Sequence, residues 1–198
     1  MKNLVFDFGG VLVDWNPRYL FDRYFSDPGK SIWFIDNICT GEWNAQMDAG
    51  KPFDEGVAEL CAVHPEWTAA IEAYRDRWGE MMGGAVPGMY ELVRDWKARG
   101  FHVYGLTNWS AETFPGVRKD YPVFSLLEGI VVSGEEHLSK PDPAIFRILL
   151  DRYSLDPAET IFTDDNQKNV DAAASVGMTA VRFVSPRLLN TDLQLLTR

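Results

Sequence analysis

An alternation along the chain constrains the fold most. Short apolar runs of strand length lie at residues 4–6, 101–106, 129–133, 160–163 and 178–184. Stretches with helical spacing separate the later runs. Residues 89–99 put Leu92, Val93 and Trp96 on one side and stop at Gly100. Residues 144–153 carry Ile145, Phe146, Ile148, Leu149 and Leu150, and residues 167–176 stop at Gly177. Strands alternating with helices of this length give an α/β fold: a doubly wound, mostly parallel sheet covered by helices.

The alternation breaks once. From about residue 15 to 83 there is no strand signal, and helix-like blocks appear at 31–39, 42–48, 53–63 and 67–82. Their breaks are Thr40-Gly41, Ala49-Gly50-Lys51-Pro52 and His64-Pro65. Ahead of them Asn16-Pro17 reads as a helix start, with Asn16 as cap, and Asp27-Pro28-Gly29 as that helix's end. The expected organisation is an α/β core over 1–14 and 84–198 with a helical insertion over 15–83. The glycine-rich stretch 83–88 is its hinge-like return.

Composition narrows the function classes. At 198 residues and 46% hydrophobic, the chain suits a core domain with a modest insertion. A formal net charge of −10 without a basic tract argues against nucleic-acid binding. It also suits a site that concentrates a cation. Cys39 and Cys61 have neither CxxC nor zinc spacing and read as small buried residues of a reducing compartment. No stretch has the length of a membrane span, and the first apolar run is too short for a signal-peptide core. A cytoplasmic protein, monomeric or homodimeric, is expected.

Ligands of open parallel sheets sit beyond the carboxyl ends of the strands. Here those ends carry Asp7, Thr107-Asn108 and Asp164-Asp165, and Lys140 follows a fourth strand. Carboxylates brought close together repel unless a cation joins them, and oxygen ligands with water suit Mg²⁺. A lysine and a hydroxyl aimed at the same point suit phosphoryl oxygens. A carboxylate beside them is able to attack phosphorus. The set reads as a metal-assisted phosphoryl-transfer site.

Asp7-Phe8-Gly9-Gly10-Val11-Leu12, Leu106-Thr107-Asn108, Ser139-Lys140-Pro141 and Phe162-Thr163-Asp164-Asp165-Asn166 resemble, in order, the four motifs of the haloacid dehalogenase (HAD) superfamily. The helical stretch between the first two resembles that family's C1-type cap. Within the superfamily the chain is similar to small bacterial phosphatases acting on metabolites such as sugar phosphates. The resemblance implies a Rossmann-like core. It implies Asp7 as nucleophile and metal ligand, Thr107 as phosphate-binding hydroxyl, and Asn108 lending its backbone N–H or side chain. Lys140 would be the third-motif lysine. The Gly9 carbonyl and Asp165 would be metal ligands, Asp164 a second acidic contact, and Asn169 a group positioning Lys140 or metal-bound water. Mg²⁺ would be the cofactor and a small phosphorylated metabolite the substrate.

One position departs from the pattern. Most phosphatases of the superfamily carry a second Asp two residues after the nucleophile, as general acid and base. Here that position is Gly9. General acid–base help is worth about two to four orders of magnitude. Phosphatase relatives with a DxGxV-type first motif share the absence. Asp14 or a metal-bound water are candidate replacements. Trp15 and Trp109, next to motif regions, are candidates to line the substrate pocket, and Trp43 reads as core. Two alternatives stay open: a metal-free 2-haloacid dehalogenase, whose relatives also lack the second Asp, and a non-catalytic phosphate-binding or scaffolding relative.

Overall fold

The computed structural model describes residues 1–197. Five parallel strands form the central sheet: β1 (Asn3–Phe6), β4 (His102–Thr107), β5 (Gly129–Val132), β6 (Thr160–Asp164) and β7 (Thr179–Arg182). Their order is β5-β4-β1-β6-β7. The chain therefore builds outward from β1 to one edge, returns to the centre, and builds outward to the other. Strand order reverses at β1, and this reversal opens a crevice at the carboxyl ends.

Alternation of side chains across a strand supplies both faces. Leu4 and Phe6 join one apolar cluster, while Val5 joins another with Phe146, Leu149 and Phe162. The second face is covered by α9 (Pro143–Tyr153) and α10 (Gln167–Ser175). The first is packed by α6 (Met89–Ala98), α7 (Phe114–Asp120) and the C-terminal α11 (Pro186–Leu196). A short helix, α8 (Ser133–Glu136), follows β5.

Residues 18–76 hold α1 (Arg18–Phe25), α2 (Pro28–Asn37), α3 (Gly41–Asp48), α4 (Phe53–Val63) and α5 (Thr68–Asp76). Their core is aromatic: Phe21 lies 4.8 Å from Phe34 and 6.0 Å from Tyr74, centroid to centroid. Trp43 is buried there, its Nε1–H donating to the Gly56 carbonyl at 3.1 Å. This core is continuous with the first face of the sheet.

The structure differs from the sequence expectation in two local features. Asp27-Pro28-Gly29 does not merely end α1; Asp27 caps α2, accepting from the N–H groups of Gly29 at 2.9 Å and Lys30 at 3.3 Å. Proline at the first position of a helix, behind such a cap, is favoured because its missing N–H would have no helical partner. The ends of the helical stretch are also strands. β2 (Val13–Trp15) pairs antiparallel with β3 (Met82–Ala85), so the two crossings between sheet and helices form a two-stranded ribbon. Asp14 and Trp15 lie on this ribbon.

Candidate active site

The turn after β1 is wound around one carbonyl. The Phe8 oxygen accepts from the N–H groups of Val11, Leu12 and Val13 at 3.2, 2.8 and 3.0 Å. The Phe8 ring is fully buried, and a Cβ at Gly105 on β4 would lie 2.4 Å from it. Glycine at 105 is thus what lets this ring lie across β4. The Asp7 N–H donates to Thr163 on β6 at 2.9 Å, anchoring the carboxylate at the strand's end.

Three strand ends meet at Lys140. Its ammonium lies 2.7 Å from Asp7 Oδ1 and 2.7 Å from Asp164 Oδ2, and donates to the Leu106 carbonyl at 3.0 Å. Asp164 is wholly buried. Its carboxylate also accepts from Asn169 Nδ2, at 3.1 and 3.0 Å, and from the Asn166 N–H at 2.8 Å. Asn169 therefore acts on Lys140 through Asp164. The Asn108 amide is committed to the lysine's main chain: Nδ2 donates to the Lys140 carbonyl at 2.9 Å, and Oδ1 accepts from the Lys140 N–H at 2.8 Å. That leaves the backbone N–H of Asn108 for a ligand. Thr107 is buried at the end of β4, its hydroxyl making only a 3.5 Å contact to the Asn108 carbonyl.

Oxygens of Asp7, Asp164 and Asp165 lie within 4.8 Å of one another, with Asp165 exposed. Gly10 makes this approach possible. It has a φ of 77°, and a Cβ there would sit 2.7 Å from Asp165 Oδ2. Electrostatics follow from the crowding. Burial pushes the Asp7 carboxyl up to about 7; Lys140 opposes the rise and Asp164 adds to it. For Lys140, burial alone would lower the pKa, but the Asp7 and Asp164 carboxylates raise it overall, so it stays an ammonium. Burial and the Asp164 charge raise Asp165. One lysine does not neutralise three carboxylates, and an all-oxygen donor set of this kind fits a hard divalent cation such as Mg²⁺.

Beside this cluster lies a cavity of about 100 Å³. Gly9, Asn108 and Trp109 line it from the sheet side, Asn44, Asp48 and Trp78 from the helices, and Trp15 from the ribbon. Trp15 and Trp109 are thus both in the pocket. The Trp15 Nε1–H is buried without a hydrogen-bond partner among the described residues. Asp14 does not line the cavity; its carboxylate accepts from the Tyr19 hydroxyl. Sequence reading missed Asn44, Asp48 and Trp78. Asp48, just ahead of the Ala49-Gly50 break, reads in sequence only as a helix end, and nothing local distinguishes the other two.

A family model described as haloacid dehalogenase-like hydrolase matches residues 1–177. The chain belongs to this family of hydrolases. Among its relatives is a sesquiterpene phosphatase of Aspergillus oryzae, 31% identical over 92% of this chain and 89% of the relative. A D-ribitol-5-phosphate phosphatase of Bacteroides thetaiotaomicron is 23% identical, covering 89% of each chain. Among solved structures, a HAD family enzyme of Bacteroides thetaiotaomicron in complex with magnesium and inorganic phosphate superposes with a TM-score of 0.73. It is 22% identical, with 93% of this chain and 95% of that one covered. That likeness concerns the HAD fold.

Proposed function

We propose that this hydrolase is a Mg²⁺-dependent phosphatase that cleaves a small phosphorylated metabolite through an aspartyl-phosphate on Asp7. The observation that carries the reading is the lysine bridge, in which Lys140 sits 2.7 Å from both Asp7 and Asp164 with Asp165 alongside. Phosphatase relatives of near full length support it.

In this reading Asp7 attacks phosphorus, and Lys140 holds its carboxylate oriented and draws charge from the phosphoryl oxygens. The Thr107 hydroxyl and the Asn108 N–H bind those oxygens. Asp164 and Asn169 fix Lys140. Asp7, Asp165 and the Gly9 carbonyl would hold Mg²⁺, with Asp164 beside them. When bound, the cation favours the ionised form of Asp7 and neutralises phosphoryl charge. Residues 15–83 act as a cap that closes over the substrate and excludes water.

The cavity bears on substrate size. It offers about 100 Å³ beside the acidic cluster, room for a compact group next to the ester. The unpartnered Trp15 Nε1–H favours a substrate with an oxygen acceptor near the ester, as in a sugar or polyol phosphate. The acidic trio argues against the metal-free dehalogenase alternative, since it carries more negative charge than Lys140 offsets.

The test is phosphate release from an aryl phosphate with Mg²⁺, with EDTA, and for Asp7→Asn. The expected result is release that both EDTA and the substitution abolish. Release insensitive to both overturns the reading. Metal-independent chloride release from 2-chloropropionate establishes the dehalogenase instead. No turnover of either, across a broad metabolite panel, establishes the binding relative.

A further inference from the structure

Gly9 leaves a phosphatase of this kind without the usual proton donor, and the other carboxylates near the site differ in how free they are to replace it. Asp164 and Asp7 are engaged with Lys140. Asp165 stands with them in the acidic trio. Asp14, on the ribbon, accepts from the Tyr19 hydroxyl of α1 and does not line the cavity. Among the described residues that line the cavity, Asp48 is the one ionisable side chain, and it faces the same space as Gly9 and Asn108.

We propose that Asp48, carried by α3 to the cavity that Gly9 leaves open, donates the proton to the leaving oxygen and then accepts the proton of the attacking water. This inference rests on the phosphatase reading above.

The side chain and the main chain of Asp48 are each held by a hydrogen bond. On α3, Asn44 Nδ2 donates to Asp48 Oδ2 at 2.8 Å, and the Tyr74 hydroxyl on α5 donates to Asn44 Oδ1 at 3.0 Å. The Ser133 hydroxyl on α8 donates to the Asp48 main-chain carbonyl. The Asn44 amide on one carboxylate oxygen leaves acceptor capacity and room for a proton. Burial pushes this carboxyl up to about 7, with the Ser110 N–H opposing. A group poised near neutrality suits both halves of the task. The vacancy opposite is real in steric terms: a Cβ on Gly9 would meet nothing within 4 Å. The helical stretch thus delivers in space what the first motif omits in sequence.

The steps balance. Asp7 Oδ bonds to phosphorus as the phosphorus–oxygen ester bond breaks. The electron pair of that bond stays on the leaving oxygen, and the Asp48 proton joins it to give the alcohol. Water then attacks phosphorus and its proton goes to Asp48. The Asp7–phosphorus bond breaks, releasing inorganic phosphate and restoring both carboxyl groups to their starting forms.

The experiment compares wild type and Asp48→Asn on two esters with Mg²⁺ present: p-nitrophenyl phosphate, whose leaving group needs no proton, and glycerol phosphate, whose leaving group does. Acid-quenched samples are weighed by intact-protein mass spectrometry. The expected losses for glycerol phosphate are about 100-fold or more, with no adduct. For p-nitrophenyl phosphate the variant shows a burst of nitrophenol, slow steady turnover and an accumulated phosphoryl adduct, because attack proceeds while hydrolysis lacks its base. Adding Gly9→Asp to the variant restores glycerol phosphate turnover at least tenfold. Should Asp48→Asn fail to fold by circular dichroism, Asp48→Ser serves the same comparison. Equal losses on both esters without an adduct, or no loss on either, overturn the proposal while leaving the phosphatase reading intact. A wild-type chain that releases phosphate from neither ester overturns both.

Discussion

Gly9 and Gly10 are adjacent, yet their surroundings differ. A Cβ at Gly10 would lie 2.7 Å from Asp165 Oδ2 at a φ of 77°, whereas at Gly9 nothing lies within 4 Å. Gly10→Ala therefore has two costs: a left-handed backbone with a Cβ, worth about 1–2 kcal/mol, and displacement of Asp165. The expected outcome is a lower denaturant midpoint together with weaker Mg²⁺ binding by calorimetry. Normal Mg²⁺ affinity in the variant would contradict the claim that Gly10 sets the position of Asp165. At this scale Asp7, Lys140 and Asp164 were legible because each ends an apolar run or follows one in a short recognisable motif. Asp48, Asn44 and Trp78 were not, because they reach the cavity through the packing of helices far from those motifs. The commitment of the Asn108 side chain to the Lys140 main chain was equally invisible, since it depends on two loops 32 residues apart meeting.

Among the elements, α2 illustrates how a breaker is also a starter. Pro28 and Gly29 interrupt α1, but Asp27 ahead of them caps the next helix. Asp27→Ala is expected to cost about 1 kcal/mol by urea unfolding and to leave phosphate release unchanged. The β2–β3 ribbon escaped the sequence because its strands are only three and four residues long, and one is Met82-Gly83-Gly84-Ala85, without apolar alternation. At the end of α3, Asp48 has a folded pKa of about 7 against an ordinary value of 3.8. A raised carboxyl pKa contributes stability below the ordinary value that is lost as pH rises through the folded one. Asp48→Asn lacks this titration. In EDTA, its unfolding free energy should therefore rise relative to wild type between about pH 4 and pH 7. A constant difference across that window would show that Asp48 is not desolvated.

For the whole molecule, the alternation of strands and helices was enough to establish a parallel sheet, because a parallel connection requires a crossover element. Strand order was not readable, since spacing along the chain does not say to which side of β1 the next strand returns. The order β5-β4-β1-β6-β7 puts β4 and β6 on either side of β1, and so brings Thr107 and Asp164 to the flanks of Asp7. The central claim is that the nucleophile at this crevice is Asp7 itself. It is tested most directly by quenching the wild-type protein in acid during turnover of an aryl phosphate with Mg²⁺, digesting it, and locating the phosphoryl group by mass spectrometry. The account predicts the phosphoryl group on the peptide containing Asp7, and none in Asp7→Asn. Phosphate release that continues in Asp7→Asn, or a phosphoryl group found on another residue, would contradict it.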